Sequence, residues 1–221
     1  GRNREGGAKV KAAIEAAAAE CEYVPADLAR VDDCRALSAA CDKRFGRLDG
    51  LVNAAGITDR GTIEDTSVEL WDRMFAVNVR APFILMQDSI ALMRRDAIAG
   101  GIVNIITMSS HGGQPFITAY SASKGALATL TKNVAHAVRF DRIRVNGINM
   151  GWADTPGEHQ VKMGEGLPAD WLAQAEAEQP FGRLLKPADV ARLCVFLLGP
   201  QSGVMTGSLI DYDQNVMGAY E

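Results

Sequence analysis

Runs with a helical spacing of apolar residues alternate with short apolar runs along the chain. Residues 8–20 (AKVKAAIEAAAAE) are Ala-rich and predict a helix, and Glu22-Tyr23-Val24-Pro25 predicts a short strand. Asp33 is placed to cap a helix in which Leu37, Ala40, Cys41 and Phe45 recur at helical spacing, and Gly46 stops it. Leu48 to Val52 predicts a buried strand running into Asn53-Ala54-Ala55-Gly56. Thr66 and Glu69 suggest a capping box for a long helix ending near Arg94. Ile102 to Ile106 is almost wholly apolar and β-branched, as expected of a strand covered on both faces. A helix is expected over 118–138, with Leu127, Leu130, Val134 and Val138 on one stripe, followed by a strand over 143–148. Pro187 suits the first position of a helix that ends at Gly199-Pro200, and 207–211 gives a last strand.

Alternation of this kind predicts one α/β domain: a doubly wound parallel sheet with helices on both faces. The stretch 151–180 breaks the rhythm with seven Gly and Pro residues and with Trp152 and Trp171. It reads either as a plain surface excursion or as a lid over a pocket. A nucleotide-binding sheet of this type begins with a strand, a Gly-rich turn and a helix. Gly6-Gly7 follows no strand and Gly112-Gly113 comes too late. The expectation is therefore that the sequence starts inside the domain, short of a strand–turn–helix–strand unit of about 30 residues or more.

Composition narrows the function classes. The 221 residues are 48% apolar and 23% charged, with net charge −4, which is a globular balance. No basic surface points to nucleic acid, no run is long enough for a membrane span, and no leader opens the chain. Cys21, Cys34, Cys41 and Cys194 lack metal or disulfide spacing and read as reduced thiols of a cytoplasmic protein, Cys34 and Cys41 as packing residues. His136 and His159 have no partner at metal spacing and are read as incidental, and no metal is expected. Arg142 and Arg144 flank a strand and are read as solvated.

The chemistry-bearing residues gather where strands end. Tyr120 and Lys124 lie four apart on a helix and share a face. An ammonium beside a phenol favours phenolate, so the pair can give or take a proton. Such a pair alone is a weak signal. Thr107 closes the strand that lies 13 residues before Tyr120, and Asn53 to Gly56 close another. Asn78 lies four residues before Pro82, which has no N–H to bond the Asn78 carbonyl. That carbonyl is expected to take another partner such as water, and the helix is expected to bend there.

Together these residues resemble the short-chain dehydrogenase/reductase family over essentially the whole chain. The resemblance implies a Rossmann-type fold that moves a hydride between NAD(P) and a secondary alcohol or ketone. Tyr120 then matches the general acid/base, and Lys124 the lysine that holds the nicotinamide ribose. Asn53, Ala54, Ala55 and Gly56 match the turn on the adenosine side, and Asp27-Leu28 the pair beside the adenine. Gly151 and Thr155 match the loop at the nicotinamide, with Met150 where the family usually has proline. Asn78 matches the asparagine whose carbonyl holds a relay water.

The substrate-orienting hydroxyl, usually serine, falls on Thr107, with Ser109 as the fallback. Thr107 also reads simply as a β-former ending a strand. Ser109, His111 and Gln114 are candidates for the substrate pocket or for a turn. Gly1 stands where NAD-preferring members carry an acid, and Arg2 follows it with Arg4 nearby, which points to NADP(H) over NAD(H). A homodimer or homotetramer is implied, built on the long central helices and the C-terminal segment. The rival reading is a non-enzymatic member of the same fold that senses a dinucleotide or acts as a scaffold.

Overall fold

The computed structural model describes residues 1–219. Its order is α1 (Arg4–Ala16), α2 (Val31–Phe45), β1 (Gly50–Asn53), α3 (Val68–Phe75), a π turn (Ala76–Arg80) and α4 (Ala81–Arg95). Then come β2 (Gly101–Ile105), α5 (Thr118–Ala137), β3 (Arg144–Met150), α6 (Pro156–Gly164), α7 (Trp171–Ala177), α8 (Pro187–Leu198) and β4 (Leu209–Tyr212).

The four strands are parallel in the order β1-β2-β3-β4. Every residue of β2 is buried, because helices cover both faces. Met86, Ile90 and Met93 of α4, with Ala135 and Val138 at the end of α5, pack on Ile102 and Val145. On the opposite face Val190, Cys194 and Leu197 of α8 pack on Val103, Ile105 and Ile148. Alternate residues of one strand thus feed two separate cores. All four carboxyl ends point to one edge of the sheet, where the candidate residues converge.

Several local expectations are corrected. The first helix starts at Arg4 rather than residue 8, because the Asn3 side chain accepts the Gly6 N–H at 2.9 Å and caps it. It ends at Ala16, and Ala18 turns the chain with φ 59°. The segment 22–25 forms no strand. A strand needs a neighbour for its ladder, and beside this segment the backbone makes only the bond from Ala26 N–H to the Gly1 carbonyl at 3.3 Å among the described residues. Ser67 rather than Thr66 caps α3, accepting the Leu70 N–H, while Thr66 bonds back to Thr62. Asp33 lies inside the first turn of α2 and accepts the Asp27 N–H at 2.8 Å instead of capping.

Arg144 is not solvated: it donates to the carbonyls of Leu197, Leu198 and Gly199, the orphan acceptors at the end of α8. Gly46 stops α2 in the left-handed region at φ 70°, as expected. Among the described residues no Gly-rich strand–turn–helix is present, and β1 pairs on one side only, with β2. Its other side faces a groove of about 330 Å³ lined by Gly1, Leu28, Leu51, Asn53, Ala54 and Ala55 among others. No helix among the described residues is long and apolar enough to cross a membrane.

Candidate active site

A cavity of about 620 Å³ opens at the carboxyl edge of the sheet. Ala54, Gly56, Thr107, Ser109, Gln114, Tyr120, Lys124, Gly151 and Thr155 all line it. Residues scattered over a hundred positions are brought together because each follows, or packs behind, a strand end.

Lys124 is fully desolvated in α5, and burial lowers its pKa to about 8. Its Nζ donates to the Ile105 carbonyl at 2.7 Å and stands 5.8 Å from the centre of the Tyr120 ring. Burial moves the Tyr120 phenol above its ordinary 10, while the Thr107 hydroxyl and, more weakly, the Arg60 charge pull the other way. The expectation that the lysine sets the phenol's pKa downward is corrected. Desolvation of the phenol outweighs the charges around it, and burial also makes the lysine a weaker base than a free one.

Asn78 lies at the centre of the π turn, where Ala81 N–H reaches back five residues to the Ala76 carbonyl. The missing N–H of Pro82 is absorbed by this looser winding immediately before α4. The Asn78 amide is wholly engaged. It exchanges bonds with the N–H and carbonyl of Ile57, each at 3.0 Å, and donates to Ser123 Oγ at 3.1 Å. Ser123 Oγ in turn donates to the Tyr120 carbonyl at 2.7 Å. The buried Ser123 therefore ties Asn78 to the helix that carries Tyr120. Sequence reasoning missed it, although it lies between Tyr120 and Lys124 on the same turn.

Thr107 and Ser109 are separated by their partners. Thr107 is buried, and its Oγ1 accepts the Ser109 N–H at 3.3 Å in the short turn 108–110. Ser109 Oγ is turned to Gln114 Oε1 at 3.1 Å. His111 does not line the cavity; its Nε2 pairs with Asp211 at 2.8 Å. His159 is likewise not idle, pairing with Asp154 at 2.7 Å and meeting Trp171 edge-on.

The dinucleotide-side candidates divide between two places. Asn53, Ala54, Ala55 and Leu28 line the groove beside β1, and Ala54 lines the cavity as well. Asp27 lines neither, and its carboxylate is used locally by the Ala29 N–H at 3.1 Å. Arg2 is exposed and lines neither, while the Tyr23 hydroxyl sits 2.7 Å and 2.9 Å from the carbonyls on either side of it. Two glycines of the wall are packed too closely by neighbouring side chains to carry a Cβ without a shift. A Cβ on Gly151 would stand 2.0 Å from Asp213, and one on Gly56 would stand 3.2 Å from Asn78 Oδ1. The cavity, with the buried lysine in its wall and the bare backbone of Gly56 and Gly151 beside it, fits the ribose and nicotinamide end of a dinucleotide.

Comparison with known proteins agrees. A family model described as enoyl-(acyl carrier protein) reductase matches residues 1–214. The chain belongs to the short-chain dehydrogenase/reductase family. Membership makes it an NAD(P)-dependent oxidoreductase, as the sequence resemblance implied. It is 33% identical over 188 residues to 2-(S)-hydroxypropyl-CoM dehydrogenase 3 of Xanthobacter autotrophicus, covering 85% of this chain and 73% of the relative. A short-chain alcohol dehydrogenase structure from Sinorhizobium meliloti 1021, described as putative, superposes with TM-score 0.87 at 30% identity, covering 97% of this chain and 83% of that one. An NAD+-bound xylitol dehydrogenase superposes with TM-score 0.86 at 25% identity, covering 97% and 86%.

Proposed function

We propose that this member of the family interconverts a secondary alcohol and a ketone in the 620 Å³ cavity, with Tyr120 as general acid/base. The observation that carries the reading is the convergence of Tyr120, Lys124 and Thr107 on one wall, with Asn78 locked behind it through Ser123. A bound dinucleotide supplies or accepts the hydride. The chain's own residues do the rest. In reduction the Tyr120 hydroxyl gives its proton to the carbonyl oxygen, and the Thr107 hydroxyl holds that oxygen by a hydrogen bond. Lys124 would hold the ribose and, with the Asn78 carbonyl, pass a proton from solvent to Tyr120. Thr155 and the Gly151 backbone, which line the cavity, would seat the nicotinamide end. The relatives named for hydroxypropyl-CoM and xylitol act on alcohols by name, which supports the substrate class.

Reduction of a ketone panel by NAD(P)H, followed at the cofactor's absorbance, tests the reading. A silent panel with tight dinucleotide binding would favour the non-enzymatic alternative. Within an active panel, Thr107→Ser is expected to keep most activity and Thr107→Val to lose at least about tenfold, since only the hydroxyl differs in kind. Ser109→Ala is expected to cost less than threefold. Damage at Ser109 with tolerance at Thr107 would move the substrate hydroxyl to Ser109.

The preferred dinucleotide is read as NADP(H). Arg2 is held between two anchored carbonyls with its guanidinium in solvent, and its neighbour Gly1 lines the groove shared with Asn53 to Ala55. A guanidinium there suits a 2′-phosphate. The ratio of kcat/KM for NADP(H) over NAD(H) is expected to fall by one to two decades in Arg2→Ala, since a charge-assisted bond contributes about 1.5–3 kcal/mol. An unchanged ratio would sink this assignment.

The segment 151–180 is read as the substrate lid, because Trp152, Thr155, Glu158, Lys162 and Gln179 from it line the cavity. Slower amide exchange in this segment on dinucleotide binding would bear that out, and no change would count against it. A homodimer or homotetramer is supported by exposed Val68, Trp71 and Phe83 on α3 and α4 and by Val195 and Phe196 on α8. A monomer mass by light scattering would reject it. A cytoplasmic location rests on four free thiols and is checked by fractionation.

A further inference from the structure

Arg60 brings a cation into the cavity wall from outside the sheet. The loop that carries it is fixed by backbone pairing. Gly61 forms a parallel bridge with Ile117, its N–H bonding the Phe116 carbonyl at 3.0 Å and its carbonyl taking the Thr118 N–H at 2.9 Å. The bridge lies directly before the first turn of α5, the turn that presents Tyr120. A Cβ on Gly61 would stand 2.5 Å from Thr66 Oγ1, so the bridge is packed from the other side as well. Arg60 and the catalytic tyrosine are therefore held on one rigid piece of backbone.

The guanidinium is only partly satisfied by the protein. Its carbon lies 5.3 Å from the centre of the Phe116 ring. Its Nε donates to Glu165 Oε1 at 2.8 Å. Glu165 is shared, because Lys162 Nζ donates to its other oxygen at 2.9 Å. Both terminal nitrogens of Arg60 are without a protein acceptor among the described residues, although the side chain is only 31% exposed. Arg60 and Lys162 both line the cavity that holds Tyr120, whereas Glu165 does not. The wall also carries two carboxyl groups: Asp213, and Glu158, whose Oε1 accepts the Trp152 indole N–H at 2.9 Å and lies 3.8 Å from Lys162 Nζ.

We infer that Arg60 is the specificity-determining residue of the cavity, and that its two free terminal nitrogens take a carboxylate borne by the substrate, with Lys162 beside it. A planar fork of two donors matches a carboxylate and has no equal match in a lone hydroxyl. Glu165 keeps Nε and so fixes the plane in which the fork lies. Phe116 covers one flank of the guanidinium. The substrate class is then a hydroxy acid or keto acid whose carboxylate is separated from the reacting carbon by a short chain. This inference deepens the reading of the cavity as a dehydrogenase site and rests on it.

The test uses the intact chain with NADP(H) and NAD(H), and three acids with their methyl esters. The acids are 3-hydroxybutyrate, 4-hydroxypentanoate and 5-hydroxyhexanoate, so chain length reports the spacing from Tyr120 to Arg60. At the best length, the acid is expected to exceed its ester at least tenfold in kcat/KM. The acid-to-ester ratio is expected to fall at least tenfold in Arg60→Gln, chiefly through KM. Arg60→Lys, which keeps the charge and loses the fork, is expected to fall between. Esters used as well as acids by the wild type, or a ratio unmoved in Arg60→Gln, would overturn the inference. Turnover of neutral ketones alone would leave the dehydrogenase reading standing and reject this one. If no compound is turned over, calorimetric titration with 5-hydroxyhexanoate decides separately. Binding that is lost in Arg60→Gln supports the carboxylate site, and no binding to the wild type rejects it. Thermal melts of both variants exclude misfolding as the cause.

Discussion

Tyr120→Phe is expected to cut turnover by at least ~10²-fold, the usual size of a general acid–base contribution, with dinucleotide affinity within a factor of about three. The variant removes one oxygen and keeps the ring beside Lys124 and the bond from Ser123 to the residue 120 carbonyl. The fold has no reason to change. Stopped-flow or steady-state cofactor absorbance gives the turnover, and fluorescence titration gives the affinity. Near-native turnover would remove Tyr120 from the chemistry.

Lys124→Met is expected to have two separate effects. Turnover should fall by ~10²-fold or more, because the charge beside the phenol and the donor to a ribose both disappear. Stability should lose a pH dependence. Burial holds the folded pKa at about 8, below the ordinary 10.5 of a free lysine. Between those values the unfolded chain binds the proton and the folded one does not, so this residue makes the wild type gain stability as pH rises through the window. Below about 8 the cost of the buried charge is fully present. The difference in Tm between wild type and variant, measured from pH 7 to 10, should therefore move in favour of the wild type as pH rises. A constant difference would show that Lys124 is not desolvated. A difference that moves as expected would make lysine at this position an example of stability given up for function.

Much of the sheet was legible because its signal is redundant. The strand of Ile102 to Ile106 is apolar on every residue, and only two-sided burial explains that. Gly46 and Pro187 marked helix ends through backbone chemistry that tertiary packing does not override. The misses have one physical origin: they depend on partners distant in sequence. Tyr23 and Val24 have strand propensity, yet among the described residues no neighbouring strand supplies a ladder. Arg144 reads as a surface charge until the last carbonyls of α8 are folded onto it. In the site, Tyr120, Lys124 and Asn78 stood out by spacing and by the proline four residues on. Arg60, Glu158 and Ser123 did not, because a lone arginine, glutamate or serine carries no pattern. Their partners lie on other segments or on the backbone of the next turn.

The buried amides behind the site bear on how accurately the chain folds. Asn53 lies opposite Asn104 in the parallel ladder and donates to its Oδ1 at 2.8 Å, while Asn104 donates to Thr131 Oγ1 at 2.9 Å. All three are buried. A slip of β2 by one residue would swing Asn104 from the α5 face to the wholly apolar face under α8. Two hydrogen bonds would be lost together, and the stranded amide and hydroxyl groups would cost about 1–3 kcal/mol each. Val and Ile neighbours alone would tolerate that slip with far less discrimination. The network of two asparagines and a threonine thus works as an error check on strand register, because only the native register of β1 and β2 pairs all three side chains with α5 in place.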